Sequence, residues 1–199
     1  MSKFKTIAKS GRGEFKDRGS RFIAFAQSCY HEEDAKKLIE ELRKKHHKAS
    51  HVCSAYKIGL ENQIMRVHDD GEPSNTAGSP IMNYITKYEL DNVVVAVVRY
   101  FGGSLLGKGG LIHAYGTAAE LAIQNGSIVT LSEKLNLQID LPFDDYALLM
   151  GELKKLNAEF VTEEFDDNCH IEIRIEKDNL AMLLAKMDDF KIHSIKYDL

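Results

Sequence analysis

The residues best suited to chemistry lie in a glycine-dense segment. Between Arg99 and Gly110 the chain places Lys108 among five glycines, Gly102, Gly103, Gly107, Gly109 and Gly110. Glycines let backbone N–H groups approach a ligand, and a following helix adds the positive end of its dipole. With the charges of Arg99 and Lys108, this pattern predicts an anion- or phosphate-binding site. The spacing fits no standard nucleotide-binding motif, so glycines that only serve turns and close packing remain the alternative.

A second segment, residues 69–80, concentrates carboxylates and hydroxyls. It contains Asp69, Asp70, Glu72, Ser74, Asn75 and Thr76. Its carboxylates could hold a hard cation, or Asp70 or Glu72 could act as a general base. The usual fate of such a run, and the one we predict, is a solvated turn that caps the next helix through Ser74, Asn75 or Thr76. We assign Asp70, Glu72, Ser74 and Thr76 a supporting role beside the glycine segment.

The histidines and cysteines do not define a metal site. His51 and Cys53 lie two apart and so share one face of a predicted strand, but a transition-metal site would also need His68 to converge on them. A Cys53 nucleophile paired with His51 has no local signature. The three cysteines, with no C-x-x-C pair, favour free thiols in a reducing compartment. We predict no metal and no cofactor, and leave the catalytic residues unassigned.

The first two thirds of the chain predict a mixed α/β domain that positions both segments. Strands are predicted at 20–29, 50–59, 63–69 and 92–101, and helices at 32–45, 79–88 and 111–124. The run 92–101, NVVVAVVRYF, is nearly unbroken in β-branched residues, which indicates a strand buried on both faces. The glycine segment is therefore predicted as a loop, 102–110, between a buried strand and a helix, and Gly126 is predicted to end that helix.

The last third predicts a ferredoxin-like domain. Strands at 134–143, 159–165, 170–176 and 192–197, with helices at 144–156 and 178–187, give the order βαββαβ. In this arrangement the helices cover one face of the sheet and leave the other open. The open face is predicted to present Asn136, Gln138, Asp140, Glu172, Arg174 and Glu176. Such a face has no aromatic platform for stacking bases.

Charge and glycine content both change near Leu131–Lys134. Residues 1–132 carry 18 Lys and Arg against 14 acidic residues, a net charge of +4, whereas residues 133–199 carry 8 against 16, a net charge of −8. Of the 14 glycines, only Gly151 follows the change. These shifts indicate a domain boundary. We predict an α+β protein with domains 1–132 and 133–199.

Composition is that of an ordinary globular protein. Hydrophobic residues make up 44% of the chain and charged residues 28%. No apolar run is long enough to span a bilayer, and the first residues show no apolar signal region. We expect a cytoplasmic location and no membrane partner.

Both segments resemble motifs of the IMPACT family, in particular its YigZ-type bacterial members. Residues 71–80, GEPSNTAGSP, resemble the motif GEPSGTAGxP, and residues 99–116 resemble RYFGG…LG…GGL…AYG. The pattern His51-x-Cys53-x-Ala55-Tyr56 also fits. Asn75 departs from the first motif, and Ser104, Leu105 and Lys108 replace commoner residues inside the second. Asn75 replaces a glycine but tolerates positive φ, and Leu105 stands where a basic residue is frequent.

The resemblance covers essentially the whole chain. It implies a first domain with the ribosomal protein S5 domain 2-like fold and a second domain like the ferredoxin-like last domain of elongation factor G. It also implies that eukaryotic members regulate translation by restraining an amino-acid-starvation kinase, using an additional RWD domain. This chain lacks that domain and is similar to the short bacterial members, for which the resemblance implies nucleic-acid or ribosome association.

Three functions remain open. The leading one is a translation-associated regulatory or binding protein whose first domain contacts RNA phosphates, the ribosome or a translation factor through Arg99, Lys108 and the glycine amides. A net charge of +4 supports this only mildly. The second is a hydrolase-like enzyme acting on a phosphorylated or peptide substrate, with Glu72 or Asp70 as base. The third is a protein-interaction module whose glycines are structural. The sequence favours a non-enzymatic role.

Overall fold

The computed structural model describes residues 3–187 and 190–197, which form two compact units. The first unit is Phe4–Leu131, and the second consists of Lys3 and the residues from Ser132 onward. The division at Ser132 lies within the range Leu131–Lys134 where the sequence places its boundary, whereas Lys3 departs from the predicted domain 1–132. Residues 1–2, 188–189 and 198–199 of the two predicted domains lie outside the described part.

Seven strands and three helices are described in the chain up to Ser132. The strands are β1 (Lys3–Lys9), β2 (Gly11–Asp17), β3 (Ser20–Ser28), β4 (His51–Ile58), β5 (Ile64–His68), β6 (Val93–Tyr100) and β7 (Ser127–Ser132). The helices are α1 (Glu32–Lys45), α2 (Gly78–Lys87) and α3 (Gly107–Asn125). The predicted strands and helices of this region are all found, and α1 has the predicted bounds.

Five strands form one antiparallel sheet in the order β2-β3-β6-β4-β5, and β1 pairs with β7 separately. The central strand β6 is buried from Val93 to Val98, as its β-branched run predicts. On one face α1 packs through Leu38 and Leu42. On the other face α2 and α3 pack through residues such as Ile81 and Ala118. The two motif segments lie between the end of β5 and the start of α2 and between the end of β6 and the start of α3.

The sequence does not predict β1, β2 or β7, and β2 shows why. It contains Gly11 and Gly13, and glycine is depleted in strands. A Cβ added to Gly11 would lie 2.0 Å from the carbonyl oxygen of Ala122, and one on Gly13 would lie 2.5 Å from the Ala122 nitrogen. The glycines therefore allow α3 to pack directly on the backbone of β2, a long-range requirement that local propensity does not contain.

Helix α3 begins at Gly107, four residues before the predicted start at Leu111. Lys108, Gly109 and Gly110 thus form its first turn, which corrects the predicted loop 102–110. Glycine costs about 1 kcal/mol relative to alanine inside a helix, so local propensity argues against helix here. Packing of the rest of the helix against the sheet outweighs that cost. Gly126 follows the last helical residue, as predicted, but in an extended conformation with φ −80°.

The second unit has the predicted ferredoxin-like topology. Its elements are β8 (Lys134–Leu141), α4 (Phe143–Lys155), β9 (Glu159–Phe165), β10 (Cys169–Glu176), α5 (Leu180–Met187) and β11 (Ser194–Tyr197). The sheet order β11-β8-β10-β9 is that of a βαββαβ domain, and every described pairing is antiparallel. The helix predicted from Asp178 begins at Leu180 instead, after a short 3-10 turn at Lys177–Asn179.

The burial pattern of this sheet follows its alternating sequence. Leu135, Leu137, Ile139 and Leu141 of β8 pack with the alternate isoleucines of β10 in the core. The residues between them, Asn136, Gln138, Asp140, Glu172, Arg174 and Glu176, belong to the opposite face. The predicted polar face is therefore confirmed by the strand register.

Candidate anion-binding surface and a buried glutamate network

Gly102 lies where the end of β6 meets the turn between β2 and β3. A Cβ on Gly102 would lie 1.9 Å from the carbonyl carbon of Gly19 and 2.2 Å from the backbone nitrogen of Ser20. The N–H of Gly102 donates to Ser20 Oγ at 3.1 Å. Close backbone packing thus requires glycine at this position, and its donor is already used within the protein.

The rest of the glycine segment is more open. Gly103 and Gly107 have φ of 85° and 72°, in the left-handed region that favours glycine. A Cβ at either position, or at Gly109, would meet no atom within 4 Å. Gly110 is partly buried, whereas Lys108 is exposed and forms no ion pair with any residue of the described part. The start of α3 therefore presents a cation beside unobstructed backbone.

Arg99 does not supply a free charge to this surface. It is only 5% exposed, and its Nη1 donates to Glu72 Oε1 at 2.6 Å. The Tyr115 hydroxyl donates to the same oxygen at 2.7 Å. Because Glu72 balances its charge, the expected direct contribution of Arg99 to anion binding is corrected to an indirect one. The guanidinium lies 5.5 Å from the centre of the Phe101 ring and supports the start of the glycine segment.

His51 and Cys53 border the same carboxylate. His51 Nε2 lies 3.8 Å from Glu72 Oε1. The Cys53 thiol is fully buried, donates to the carbonyl of Asp69 at 3.0 Å and lies 3.3 Å from the Tyr115 hydroxyl. Burial raises the pKa of the Cys53 thiol, which keeps it protonated at neutral pH. The arrangement suits a structural thiol better than a nucleophile.

Asp69 caps the start of α2 although it lies several residues before the helix in the sequence. Its carboxylate accepts hydrogen bonds from three backbone N–H groups, those of Asn75, Ala77 and Gly78, at 2.8, 3.0 and 2.8 Å. Burial acts to raise the pKa of Asp69, but these donors outweigh it and the pKa is lowered. The predicted side-chain caps Ser74, Asn75 and Thr76 are wrong, since the residue at the cap position is Ala77, without a side-chain hydrogen bond. Asn75 instead supplies the predicted positive φ, at 62°.

The supporting residues of this loop have separate partners. Asp70 pairs with Arg43 at 2.5 Å. Thr76 is 2% exposed, and its hydroxyl donates to the carbonyl of Pro73 at 2.6 Å. Ser74 is exposed. The three neighbouring carboxylates thus diverge, and the described residues contain no group of three or more His, Cys, Asp or Glu side chains that could hold a metal ion.

The motif segments therefore converge on Glu72. This side chain, 4% exposed, joins the loop after β5 to Arg99 of β6, Tyr115 of α3 and His51 of β4. A buried carboxylate is tolerated only when it is paired and hydrogen-bonded, and here both conditions hold. The network fixes the loop and the start of the glycine segment relative to the sheet. The role that this geometry supports for Glu72 is to position neighbouring residues.

A basic surface that the sequence reasoning missed lies on the α1 side of β2 and β3. Arg12, Lys16 and Arg21 lie on this face by strand register, and Glu14 is the carboxylate that they share. Glu14 lies 2.8 Å from Arg21, 3.3 Å from Arg12 and 3.6 Å from Lys16. One carboxylate cannot neutralise three cations, so the surface keeps an excess of positive charge.

The end of α1 extends this surface. His46 Nδ1 lies 2.8 Å from the Tyr100 hydroxyl, and Tyr100 is the register partner of Arg21. Burial, followed by the charges of Lys45, Arg12 and Arg21, lowers the pKa of His46. Charges from three elements therefore act on one imidazole. We call the following set the basic surface: Arg12, Lys16, Arg21, Lys45 and Tyr100.

One signal in the sequence could have found the basic surface. Residues 1–21 contain seven Lys and Arg against two acidic residues. The strand pairing that brings this region to the end of α1 joins residues more than 70 positions apart, as in the pair Arg21 and Tyr100. Composition alone does not supply that pairing.

A groove of about 630 Å³ lies between α1, β4 and β5, away from the glycine segment. Its charged lining has no excess of cations, with Lys36, Arg43 and Arg66 against the anions Glu32, Glu40, Asp69 and Asp70. Several of these are already paired, including Arg43 with Asp70. The groove therefore does not provide the anion site that the sequence predicts.

Comparison with known proteins agrees with these motifs. Residues 18–123 match the Impact N-terminal domain. The chain is 34% identical over 177 residues to the IMPACT family member YvyE of Bacillus subtilis, covering 86% of this chain and 79% of that protein. It is 28% identical over 188 residues to YigZ of Escherichia coli, covering 89% and 88%. This chain belongs to the IMPACT family and is of the short, YigZ-like bacterial type.

A solved structure confirms the fold. The crystal structure of a hypothetical protein is similar with a TM-score of 0.74 and 25% sequence identity, covering 99% of this chain and 97% of the other. The α+β class predicted from the sequence is therefore correct. In residues 3–187 and 190–197, no helix has both the length and the apolar character that crossing a membrane requires.

Proposed function

We propose that this protein is a cytoplasmic, translation-associated regulatory protein that contacts RNA phosphates through its first unit. The translational setting comes from the family, whose eukaryotic members are regulators of translation by the resemblance stated above. The contact surface comes from the geometry of the first unit. It combines the basic surface with Lys108 at the start of α3.

The observation that carries the proposal is the excess of cations around Tyr100. Arg12, Lys16 and Arg21 share the single carboxylate of Glu14, and Lys45 adds a further charge from α1. Lys and Arg side chains that face phosphates release counterions, which supplies most of the affinity in sequence-independent binding. Tyr100, partly exposed within this set, offers a ring on which a base could stack.

The glycine segment contributes in a second way. Lys108 and the open backbone at Gly103, Gly107 and Gly109 suit a phosphate oxygen near the start of α3. Gly102 and Arg99 hold this segment in place, because Gly102 packs on Gly19 and Arg99 is anchored by Glu72. The second unit is not part of the proposal, since its open sheet face carries mainly carboxylates and amides.

Titration of the full chain with a labelled single-stranded RNA at several salt concentrations tests the proposal. Binding should weaken as salt rises, with a slope of log affinity against log salt near −0.7 for each phosphate contact. The double variant Arg12→Gln/Lys45→Gln should lower the affinity and make the slope shallower by about 1.4. Lys108→Gln alone should make it shallower by about 0.7.

A matched control removes two charges elsewhere. Lys37→Gln/Lys154→Gln removes the same net charge from two exposed positions, one on α1 and one on α4. Its RNA affinity should stay close to that of the unchanged chain. Binding that is absent or independent of salt, or that falls equally in both double variants, would refute the proposed phosphate contacts.

A protein-interaction role of the glycine segment is the second candidate. Leu105 is 83% exposed and Phe101 49% exposed, which is unusual for large apolar side chains in one short loop. A Leu105→Ser variant should then lose a translation-factor or ribosomal-protein partner in nuclease-treated lysate while RNA binding is unchanged. Loss of RNA binding in that variant would instead assign Leu105 to the RNA surface.

A further inference from the structure

The second unit exposes a group of stacked aromatic rings. Phe143 at the start of α4 is 51% exposed and Phe165 at the end of β9 is 53% exposed. Their ring centres lie 6.0 Å apart with an angle of 22° between the planes. Tyr146 approaches Phe165 edge-on at 5.4 Å and 77°. These three rings form one apolar patch at the surface.

The patch is held in place by hydrogen bonds and strand pairing. The Tyr146 hydroxyl donates to Glu163 Oε2 at 2.8 Å, which links α4 to β9. Phe165 is the register partner of Cys169, so the end of β9 is fixed by the central strand β10. The start of α4 is tied as well, because Asp145 accepts the N–H of Lys191 at 2.8 Å. Rings that are already ordered lose little entropy on binding a partner.

The surroundings of the rings are mainly acidic, with Lys191, whose N–H donates to Asp145, as a neighbouring cation. Carboxylates flank both phenylalanines in sequence or pair with the tyrosine: Asp144, Asp145, Glu163, Glu164, Asp166 and Asp167. The segments 142–153 and 156–173 contain no Lys or Arg at all. Residues 133–199, which carry them, have a net charge of −8. An apolar patch in such a field repels nucleic acid and anionic lipid and attracts a cation.

We propose that this aromatic–acidic patch binds an arginine-containing basic segment of a partner protein. A guanidinium can stack on an exposed aromatic ring and at the same time donate paired hydrogen bonds to a carboxylate. Phe143 and Phe165 provide the rings, and the exposed Asp144 and Asp167 are the nearby carboxylates, since Asp166 already pairs with His170. Lysine can use the charge but not the planar stacking, so arginine is the favoured residue.

Peptide titration with the full chain tests this proposal. The probe is a fluorescent peptide of alternating arginine and glycine, compared with matched lysine–glycine and glutamate–glycine peptides at low salt. The arginine peptide should bind several-fold more tightly than the lysine peptide, because only arginine gains the stacking contribution. The glutamate peptide should not bind. Equal affinity for arginine and lysine would contradict the stacking geometry.

Variants locate the binding on the patch. Phe143→Ser/Phe165→Ser should weaken the arginine peptide by about tenfold, since it removes both rings. Met182→Ser, which removes a side chain 58% exposed on α5, is the matched apolar control and should have no effect. Both variants change exposed side chains, and unchanged far-ultraviolet circular dichroism and melting temperature would show that each still folds.

A charge-matched pair separates the local patch from the net charge. Asp144→Asn/Asp167→Asn removes two carboxylates beside the rings, whereas Glu172→Gln/Glu176→Gln removes two from the open sheet face. The first should weaken the peptide clearly more than the second. Equal losses would overturn the proposal, because the peptide would then sense only the overall field. Self-association abolished by Phe143→Ser/Phe165→Ser, without arginine selectivity, would assign the patch to a second copy of this chain.

Discussion

Glu72 joins its loop to three other elements, through Arg99 of β6, Tyr115 of α3 and His51 of β4. Its Oε1 accepts hydrogen bonds from Arg99 Nη1 and the Tyr115 hydroxyl, and the buried Arg99 Nε has no hydrogen-bond partner among the described residues. A buried ion pair contributes little net stability compared with an apolar replacement, but the loss of one partner leaves an uncompensated charge. The contribution of the Glu72–Arg99 pair is therefore measured best by removing one partner alone.

Glu72→Gln is therefore expected to lower the free energy of unfolding by about 3 kcal/mol. Urea denaturation of the full chain, followed by a signal from the first unit, measures this change. Glu40→Gln, on the exposed side of α1, should change it by less than about 0.5 kcal/mol. The double variant Glu72→Gln/Arg99→Met should lose less than the sum of the single changes, and simple additivity would argue against the coupling.

His170 gives the second unit a pH dependence. Hydrogen bonds with Asp140 and then Asp166 raise the pKa of His170, while Ser194 and His170 lower the pKa of Asp140. The raised histidine pKa contributes stability that is fully present below its ordinary value of 6.5 and is lost as the pH rises through the higher folded value. The lowered Asp140 pKa contributes stability above 3.8, which is lost on further acidification.

The second unit should therefore melt at a higher temperature near pH 5.5 than near pH 8.5. His170→Gln should reduce this difference, and an imidazole titration by nuclear magnetic resonance should show a pKa above 6.5 for His170 in the unchanged chain. His193→Gln changes another histidine of the same unit and serves as the control. A titration of His170 at or below its ordinary pKa would contradict the assignment.

Single residues show where sequence reasoning stops. The positive φ of Asn75, 62°, could be predicted from the sequence, because tolerance of this conformation depends on the residue type alone. The ion pair that neutralises Arg99 could not be predicted, because its partner Glu72 lies 27 positions away in the sequence and contacts Arg99 only in the folded chain. The same applies to Lys45 and Arg12, which belong to distant elements of one surface.

At the scale of elements, the glycines of the segment after β6 divide into two kinds. A Cβ on Gly102 would meet backbone atoms at 1.9 to 2.3 Å, and backbone cannot move aside easily. A Cβ on Gly109 would meet nothing within 4 Å, and Gly109 lies in the first turn of α3. Replacement by alanine is thus expected to lower the stability at Gly102 but not at Gly109.

Gly102→Ala should destabilise the first unit by about 3 kcal/mol through this overlap. Gly109→Ala should leave stability unchanged or raise it by up to about 1 kcal/mol, because alanine favours the helix. Thermal and urea unfolding measure both variants. If Gly102→Ala is tolerated without loss, the close approach of Gly102 to Gly19 is wrong.

The start of α2 depends on Asp69. Replacing Asp69 by alanine leaves the N–H groups of Asn75, Ala77 and Gly78 without their acceptor and should cost about 2 kcal/mol. Hydrogen exchange at Ala77 and Gly78 should accelerate in the same variant. Ser74→Ala should have almost no effect, because Ser74 is exposed and does not cap the helix. Comparable effects of the two variants would restore the cap predicted from local sequence.

Elements with strong periodicity were predictable and elements shaped by tertiary contact were not. Helix α1 has an apolar stripe with acidic and basic ends and was found with its bounds. Strand β2 was missed because Gly11 and Gly13 are there for the approach of α3. The start of α3 was misplaced because its first turn contains three glycines, Gly107, Gly109 and Gly110. In both cases packing outweighs propensity.

At the scale of the whole molecule, the charge split coincides with the division into two units. Residues 1–132 have a net charge of +4 and residues 133–199 a net charge of −8, and the units divide between Leu131 and Ser132. Each unit also has its own apolar core. The two proposed surfaces therefore attract partners of opposite charge, RNA phosphate for the first and a basic protein segment for the second.

A fragment of residues 3–131 should accordingly fold cooperatively and bind RNA with the salt slope of the full chain. A fragment starting at Ser132 should bind the arginine peptide but not RNA. Circular dichroism establishes folding, and the titrations described above establish binding. RNA binding by the second fragment alone would contradict the assignment of phosphate contact to the first unit.

Three buried thiols are distributed over the two cores, and this placement has a practical consequence. Cys29 and Cys53 belong to the first unit and Cys169 to the second, each 1% exposed or less, and burial raises the pKa of Cys29 to about 11. A thiol-reactive reagent can then modify each cysteine only when its surroundings open transiently. Identifying the modified residues by mass spectrometry would report the opening frequency of each half of the intact chain, without any engineered label.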